Sequence, residues 1–146
     1  MNAIVEDMLA LSKISHQEIE ISDVNLSELA SMTINSLRES QPTREIDIKI
    51  LSDLKARADV RLIGIALDNL LGNAWKSTGK TSHPRIEFGA YDSDSRRIYF
   101  VKDNGAGFDA THSNKLFEPF KRLHSESEFP GTGIGLAIVS RVVKRH

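Results

Sequence analysis

The chain has 146 residues, 40% of them apolar and 27% charged, with a formal net charge of −1 and no cysteine. That is enough chain for one domain with a real core and a short appendage. The near-neutral balance excludes a general pull toward nucleic acid or an anionic membrane, so any polyanion site must be local. The missing cysteines exclude a disulfide framework, thiolate metal sites and a cysteine nucleophile.

Residues 1–17 read as a helix, with Ile4, Met8, Leu11 and Ser15 in a seam flanked by Leu9 and Ile14. The seam suits a bundle or coiled coil but is too short to stand alone. A helix packed on its own domain fits the pattern equally well. Ile19 and Ile21 then alternate with Glu18, Glu20 and Ser22, a short strand signal. Asn25-Leu-Ser-Glu28 reads as a helix start, with Asn25 as N-cap and Glu28 reaching back. Leu26, Leu29, Ala30, Ile34 and Leu37 form its buried face as far as about Glu39, and Gln41-Pro-Thr ends it. Ile46, Ile48 and Ile50 alternate with polar residues as a half-buried strand, with Leu54 to Ala58 as its expected neighbour. Asp59 is a good cap for the helix that follows.

That next helix organises the chain. In Ile63-Gly-Ile-Ala-Leu-Asp-Asn-Leu-Leu-Gly-Asn-Ala-Trp-Lys76, the helical period gathers Ile63, Ala66, Leu67, Leu70 and Ala74 on a face that buries. Asn69, Asn73 and Lys76 make a second stripe on its flank. Amide oxygens can ligate Mg²⁺ without adding charge, and an ammonium can meet phosphate oxygens. The same stripe also suits an ordinary helix with its polar edge in water. Ser77–Pro84 reads as loop. Arg85–Tyr91 and Arg97–Lys102 read as a hairpin joined by the polar turn Asp92–Arg96, which lacks the glycine and distal glutamate of a calcium loop. Gly79-Lys-Thr81 resembles the close of a phosphate-binding P-loop, but it trails a helix, and Ala74 stands where the first glycine belongs.

Asp103-Asn-Gly-Ala-Gly107 leaves the second hairpin strand as a glycine turn. A carboxylate there can accept a hydrogen bond from an exocyclic amine, and the glycines let backbone approach a flat ring. An Asx turn after an edge strand fits too. A short helix is expected around Ser113–Phe117, then a polar stretch from Lys121 to Thr132. Gly131-Thr-Gly-Ile-Gly135 opens a last apolar helix whose N–H groups can face a phosphate. The element order predicts an α/β two-layer sandwich with helices on one face of a mixed sheet.

The ordered combination resembles the catalytic, ATP-binding domain of bacterial sensor histidine kinases, in the superfamily shared with DNA gyrase and MutL. Asn69–Lys76 is similar to its N box, Asp103–Gly107 to its G1 box, Phe117-Glu-Pro-Phe120 to its F box and Gly131–Gly135 to its G2 box. The wording around Asn-Ala-Trp-Lys and Leu123-His-Ser-Glu is close to phytochrome-type and PAS-linked kinases. The resemblance implies a Bergerat-type fold and two cofactors, ATP and Mg²⁺. Asn73 would ligate the metal, with Asn69 and Lys76 near the triphosphate, these three being the catalytic set. Asp103 would take the adenine amine and Gly105 and Gly107 would wall the base. Lys121 or Arg122 would reach phosphate from a lid hinged by Phe117 and Phe120, and Gly131, Thr132, Gly133, Gly135 and Leu136 would close the site. Ser77 departs from the family, where an aromatic usually follows the lysine; the expectation is looser packing there and no effect on the ligand.

Position 69 separates kinase from hydrolase within the superfamily. Its ATP-hydrolysing relatives carry a glutamate one turn before the magnesium asparagine, and an amide is no general base. The expected reaction is therefore transfer of the γ-phosphoryl group to an external histidine. His16, His83, His112, His124 and His146 all lack the family's phosphoacceptor context, which places the acceptor on a dimerisation helix elsewhere. By the same resemblance residues 1–17 are the end of that hairpin's second helix and 18–146 the catalytic domain without its last strands. The implied partners are the phosphoacceptor helix, a response regulator receiver domain and a second copy through the N-terminal helix, with no nucleic acid and no direct membrane contact. Without an apolar run of membrane length or a leader-like start, the expected location is cytoplasmic, the parent being open to membrane anchoring. The alternatives are a degenerate nucleotide-sensing or scaffold module and a hydrolytic ATPase.

Overall fold

The computed structural model describes residues 3–107 and 134–146. Its elements run α1 (Ala3–His16), β1 (Ser22–Asn25), α2 (Leu26–Ser40), β2 (Asp47–Ile50), β3 (Lys55–Ala58), α3 (Val60–Ser77), β4 (Arg85–Ser93), β5 (Arg96–Asp103) and α4 (Gly135–Arg145). β2 pairs with β4 in parallel and β4 with β5 antiparallel, while β1 and β3 form a separate antiparallel pair. The larger sheet is therefore mixed, as the sequence leads one to expect, but β3 is not the neighbour of β2. The chain continues the β2–β4 ladder through Leu51 N–H to Phe88 O at 2.9 Å, then turns at Asp53, whose φ is 58°. Ser27 at the start of α2 fixes that turn, its hydroxyl donating to Leu51 O at 2.6 Å while Leu54 N–H donates to it at 2.9 Å. β3 thus emerges pointed at β1.

The strand expected at Ile19–Ile21 lies instead at Ser22–Asn25. The Glu20 N–H donates to the Asp59 carboxylate at 2.9 Å, so this backbone serves the cap of α3 rather than a ladder. Ile19 packs into a core and Ile21 stays exposed. Both predicted N-caps are present: Asn25 Oδ1 accepts from Glu28 N–H at 3.1 Å, and Asp59 Oδ1 from Arg61 and Leu62 N–H. The hairpin turn is tighter than expected, since Ser93 pairs with Arg96 and only Asp94 and Ser95, both at positive φ, lie between. Two successive left-handed residues match the twist of the strands they join.

Alternation sorts the sheet into two faces. Ile48, Ile50, Ile86, Phe88, Ala90, Tyr99 and Val101 turn toward the helices and join the larger core. The other face carries Lys49, Glu87, Tyr91 and Phe100, with the Phe100 ring laid over Gly89, where a Cβ would come within 2.8 Å of it. Tyr99 Oη donates to Lys55 O at 2.6 Å and ties β5 to β3.

α3 divides the interior. Leu67, Leu71, Ala74 and Trp75 pack with α2 and the sheet, whereas Leu62 and Ala66 pack with Ile14 of α1 and Ile134, Ile138, Val139 and Val142 around α4. The apolar face is thus wider than the five residues expected: Leu62, Leu71 and Trp75 are buried too, and Ile63 and Leu70 are only partly so. At roughly 25 cal/mol per Å² of apolar surface removed from water, each fully buried leucine contributes on the order of 2 kcal/mol before chain entropy is counted. Among the described residues no helix is long and apolar enough to cross a membrane.

Candidate nucleotide site

The site is laid out along α3. The helix begins on Asp59, a carboxylate with 1% of its surface exposed. Burial pushes this carboxyl up, but the hydrogen bonds from Glu20 N–H, the Arg61 guanidinium and the Leu62 and Arg61 N–H groups outweigh it and hold it down at about 2. Asp59 N–H in turn donates to His146 Nε2 at 3.0 Å, joining the start of α3 to the end of α4. At the other end of α3, Arg44 caps the helix. Its guanidinium donates to Trp75 O and, at 2.9 Å, to Thr78 Oγ1, and it lies 5.0 Å from the centre of the Trp75 ring. A cation on the last carbonyls suits the helix dipole. Trp75 Nε1 donates to Gln41 Oε1 at 2.6 Å, so the loop after α2 locks the end of α3 from two directions.

Asn69, Asn73 and Ser77 share one face at successive turns. Asn69 Nδ2 donates back to Ile65 O at 2.9 Å, which turns Oδ1 toward the start of α4. A Cβ built on Gly135 would stand 2.8 Å from Asn69 Oδ1 and 4.0 Å from Asn73 Oδ1. Two amide oxygens therefore converge on the first turn of α4, and glycine is what lets that turn come so close. Ile134 is the N-cap position of α4 and makes no side-chain cap bond. Lys76 lies exposed one turn on from Asn73, and Leu136 is half-buried beside Gly135.

At the other end of the stripe, β5 delivers Asp103 on the helix side of the sheet, opposite Ile86. Asp103 Oδ1 accepts from Ser77 Oγ and from Gly105 N–H, both at 2.9 Å. The turn is pressed onto the end of α3: Ala106 N–H donates to Ser77 O at 3.0 Å, and a Cβ at Gly105 would lie 2.3 Å from that oxygen. Gly107 sits at φ 68°, a conformation that favours glycine. Asn104 braces the turn from behind, accepting from Arg85 N–H at 2.8 Å and donating to His83 O at 2.7 Å.

Of the residues expected in a site, α3 thus links Asn69, Asn73, Asp103, Gly105 and Gly135, with Lys76 alongside. Lys121, Arg122, Gly131, Thr132 and Gly133, like Phe117 and Phe120, lie outside the described residues. Ser77 does more than loosen a helix end, since its hydroxyl and carbonyl hold the Asp103 turn. Its place one turn past Asn73 on the same stripe was the available signal. Asn104, Gln41 and Arg44 support the site without any pattern in the sequence marking them. Asp68 is turned to α2, where Thr33 Oγ1 donates to it at 2.5 Å, and so lies off this stripe. Gly79-Lys-Thr81 follows a helix and is no P-loop. Among the described residues no group of three or more His, Cys, Asp or Glu side chains is placed to hold a metal ion, so a cation here would rely on amide oxygens and ligand phosphates.

This arrangement of a mixed sheet, an amide-striped helix, the glycine turn after β5 and the close start of α4 at Gly135 is that of an ATPase-like nucleotide-binding domain. Residues 58–146 match the family of histidine kinase-, DNA gyrase B- and HSP90-like ATPases, and the chain belongs to that family. It is 27% identical over its whole length to the phytochrome-like protein Cph1 of Synechocystis sp., spanning 19% of that protein. Among solved structures, it resembles the mycobacterial sensor histidine kinase MprB (26% identity, TM-score 0.70, 87% of this chain and 80% of that one). It also resembles full-length ShkA in complex with AMPPNP (25% identity, TM-score 0.74, 97% of this chain and 30% of that one). The chain spans 16% to 35% of the length of Cph1 and other curated relatives.

Proposed function

We propose that the chain binds ATP with Mg²⁺ and serves as the catalytic part of a sensor histidine kinase, passing the γ-phosphoryl group to a histidine outside these residues. The observation that carries the reading is the convergence of the Asn69 and Asn73 amide oxygens on the first turn of α4, with Asp103 at the far end of the same helix stripe. The AMPPNP complex of ShkA supports it, as do the histidine kinases FilI and CikA among the chain's relatives.

The residues present fit the ligand. Asn73 would hold the metal, which when bound neutralises phosphate charge and orients the triphosphate. Asn69 and Lys76 would meet phosphate oxygens, and the dipole and N–H groups of the α4 start, with Gly135 and Leu136, would meet others. Asp103 would receive the base amine, with Gly105 and Gly107 along its face. Lys121, Arg122, Gly131, Thr132 and Gly133 complete the proposed set. What the chain contributes to the reaction is position and charge rather than proton transfer. No carboxylate stands at position 69, and Asp68 is engaged with Thr33. That favours transfer over hydrolysis.

α1 is proposed as the end of a dimerisation hairpin, joining the catalytic domain to the acceptor helix, and a receiver domain as the later phosphoryl acceptor. The test is twofold. Nucleotide titration with and without Mg²⁺ should give metal-dependent ATP binding with negligible phosphate release, and an added dimerisation hairpin from the parent protein should become labelled from γ-labelled ATP. Absence of any nucleotide binding would overturn the reading. ATP binding without labelling would leave the nucleotide-sensing module.

A further inference from the structure

Ser77 touches the Asp103 turn through two groups. Its hydroxyl lies 2.9 Å from Asp103 Oδ1, its carbonyl accepts from Ala106 N–H at 3.0 Å, and both crowd the space where a Cβ on Gly105 would stand, at 2.7 and 2.3 Å. Asp103 Oδ1 takes a second bond from Gly105 N–H at 2.9 Å. The one proton of the Ser77 hydroxyl can also serve Ala74 O at 3.2 Å, but its bond to Asp103 is shorter and charge-assisted. Both donors therefore land on one carboxylate oxygen, and among the described residues Oδ2 accepts none. An ionised carboxylate only accepts, so it needs donors at both oxygens to be fully satisfied. Two donors on Oδ1 also stop the group from rotating, which aims Oδ2 in one direction.

We propose that Ser77 is a positioning residue for base selection. By holding Asp103 Oδ1, it presents Oδ2 as a fixed acceptor that favours a purine bearing an exocyclic amine at its 6-position. This deepens the nucleotide reading and rests on it. A ligand with N–H at that point completes the carboxylate, whereas a ligand with only C–H there leaves a charged oxygen desolvated and unpaired, which is the costly case. Without the hydroxyl, Asp103 keeps only its bond to Gly105 N–H and can swing, so the discrimination weakens while contacts to the triphosphate remain.

The test compares ATP with purine riboside 5′-triphosphate, which differs only in lacking the 6-amine. Affinities for both, with Mg²⁺, are measured on the 146-residue chain as wild type, Ser77→Ala and Ser77→Thr, with thermal melts on each. Wild type should prefer ATP. Ser77→Ala should lose about tenfold of that preference, chiefly through weaker ATP binding, and Ser77→Thr should restore it. Should Ser77→Ala fail to fold, Ser77→Cys replaces the hydroxyl by a weak donor of similar size and should lower the preference in the same direction. An unchanged ratio in the folded variant, or a wild type that binds both triphosphates equally, overturns this inference and leaves the nucleotide site standing. A wild type that binds neither overturns both.

Discussion

Asn69 Oδ1 lies 2.8 Å from the point where a side chain on Gly135 would begin, although the two residues belong to helices far apart in sequence. The contact decides how closely α4 can approach α3. Gly135→Ala forces the amide of Asn69 to turn away or α4 to withdraw. Because the obstacle is the end of a flexible side chain, stability should change by less than about 1 kcal/mol. ATP affinity should nevertheless fall by roughly tenfold, since an amide oxygen and the helix start are displaced together. Parallel thermal melts and nucleotide titrations check this; unaltered affinity would remove Asn69 from the site.

Asn69→Glu places a carboxylate where a general base would stand in the hydrolytic relatives. Phosphate release from ATP should rise at least about tenfold, toward the roughly 10²–10⁴-fold that positioned bases supply. Transfer to an added histidine acceptor should fall in the same variant. A steady-state phosphate assay beside a labelling assay reads both.

Asp59 links stability to pH. Its carboxyl is held at about 2 in the folded chain against an ordinary 3.8, so ionisation favours the fold. The contribution is complete above the unfolded value and is lost as pH falls from near 4 through about 2. Acid unfolding followed by circular dichroism should show this loss in wild type and a flatter profile in Asp59→Asn, which keeps a capping oxygen but not the charge. Asp59→Ala should cost about 1–3 kcal/mol at neutral pH, the capping bonds and a buried hydrogen-bond network going together.

Arg44→Ala should destabilise the chain by about 1–3 kcal/mol, because it strips two hydrogen bonds from the end of α3 and uncovers the Trp75 ring. Arg44→Lys should recover little, since an ammonium cannot span Trp75 O and Thr78 Oγ1 as a planar fork does. Chemical denaturation measures the loss.

Much of this architecture is legible from local pattern. The caps at Asn25 and Asp59, the period of α3, the alternation of β4 and β5 and the glycine turn at Asp103–Gly107 are each set by neighbours a few residues away. What the pattern misplaces depends on partners distant in sequence. Ile19 and Ile21 alternate like a strand, yet the Glu20 N–H is claimed by Asp59, and the ladder starts one residue after Ile21. β3 looks like the companion of β2 until the turn at Asp53 and its brace from Ser27 send it to β1. Leu71 and Trp75 are buried because α2 and the sheet close over a second side of α3, which no single-helix period reveals. In the candidate site, residue type and order single out Asn69, Asn73, Asp103 and Gly135, which the fold brings together along α3. Ser77 reads in the sequence only as a departure from the family, because its place on the stripe gains meaning once β5 brings Asp103 beside it.

α3 is gripped on two sides by separate apolar assemblies and pinned at each end, by Asp59 at its start and Arg44 at its finish. Such a helix behaves as an anvil. Its polar stripe keeps one fixed spacing between the Asn69–Asn73 pair and the Asp103 turn, so whatever must shift to admit or release an occupant shifts around α3 while α3 stays put.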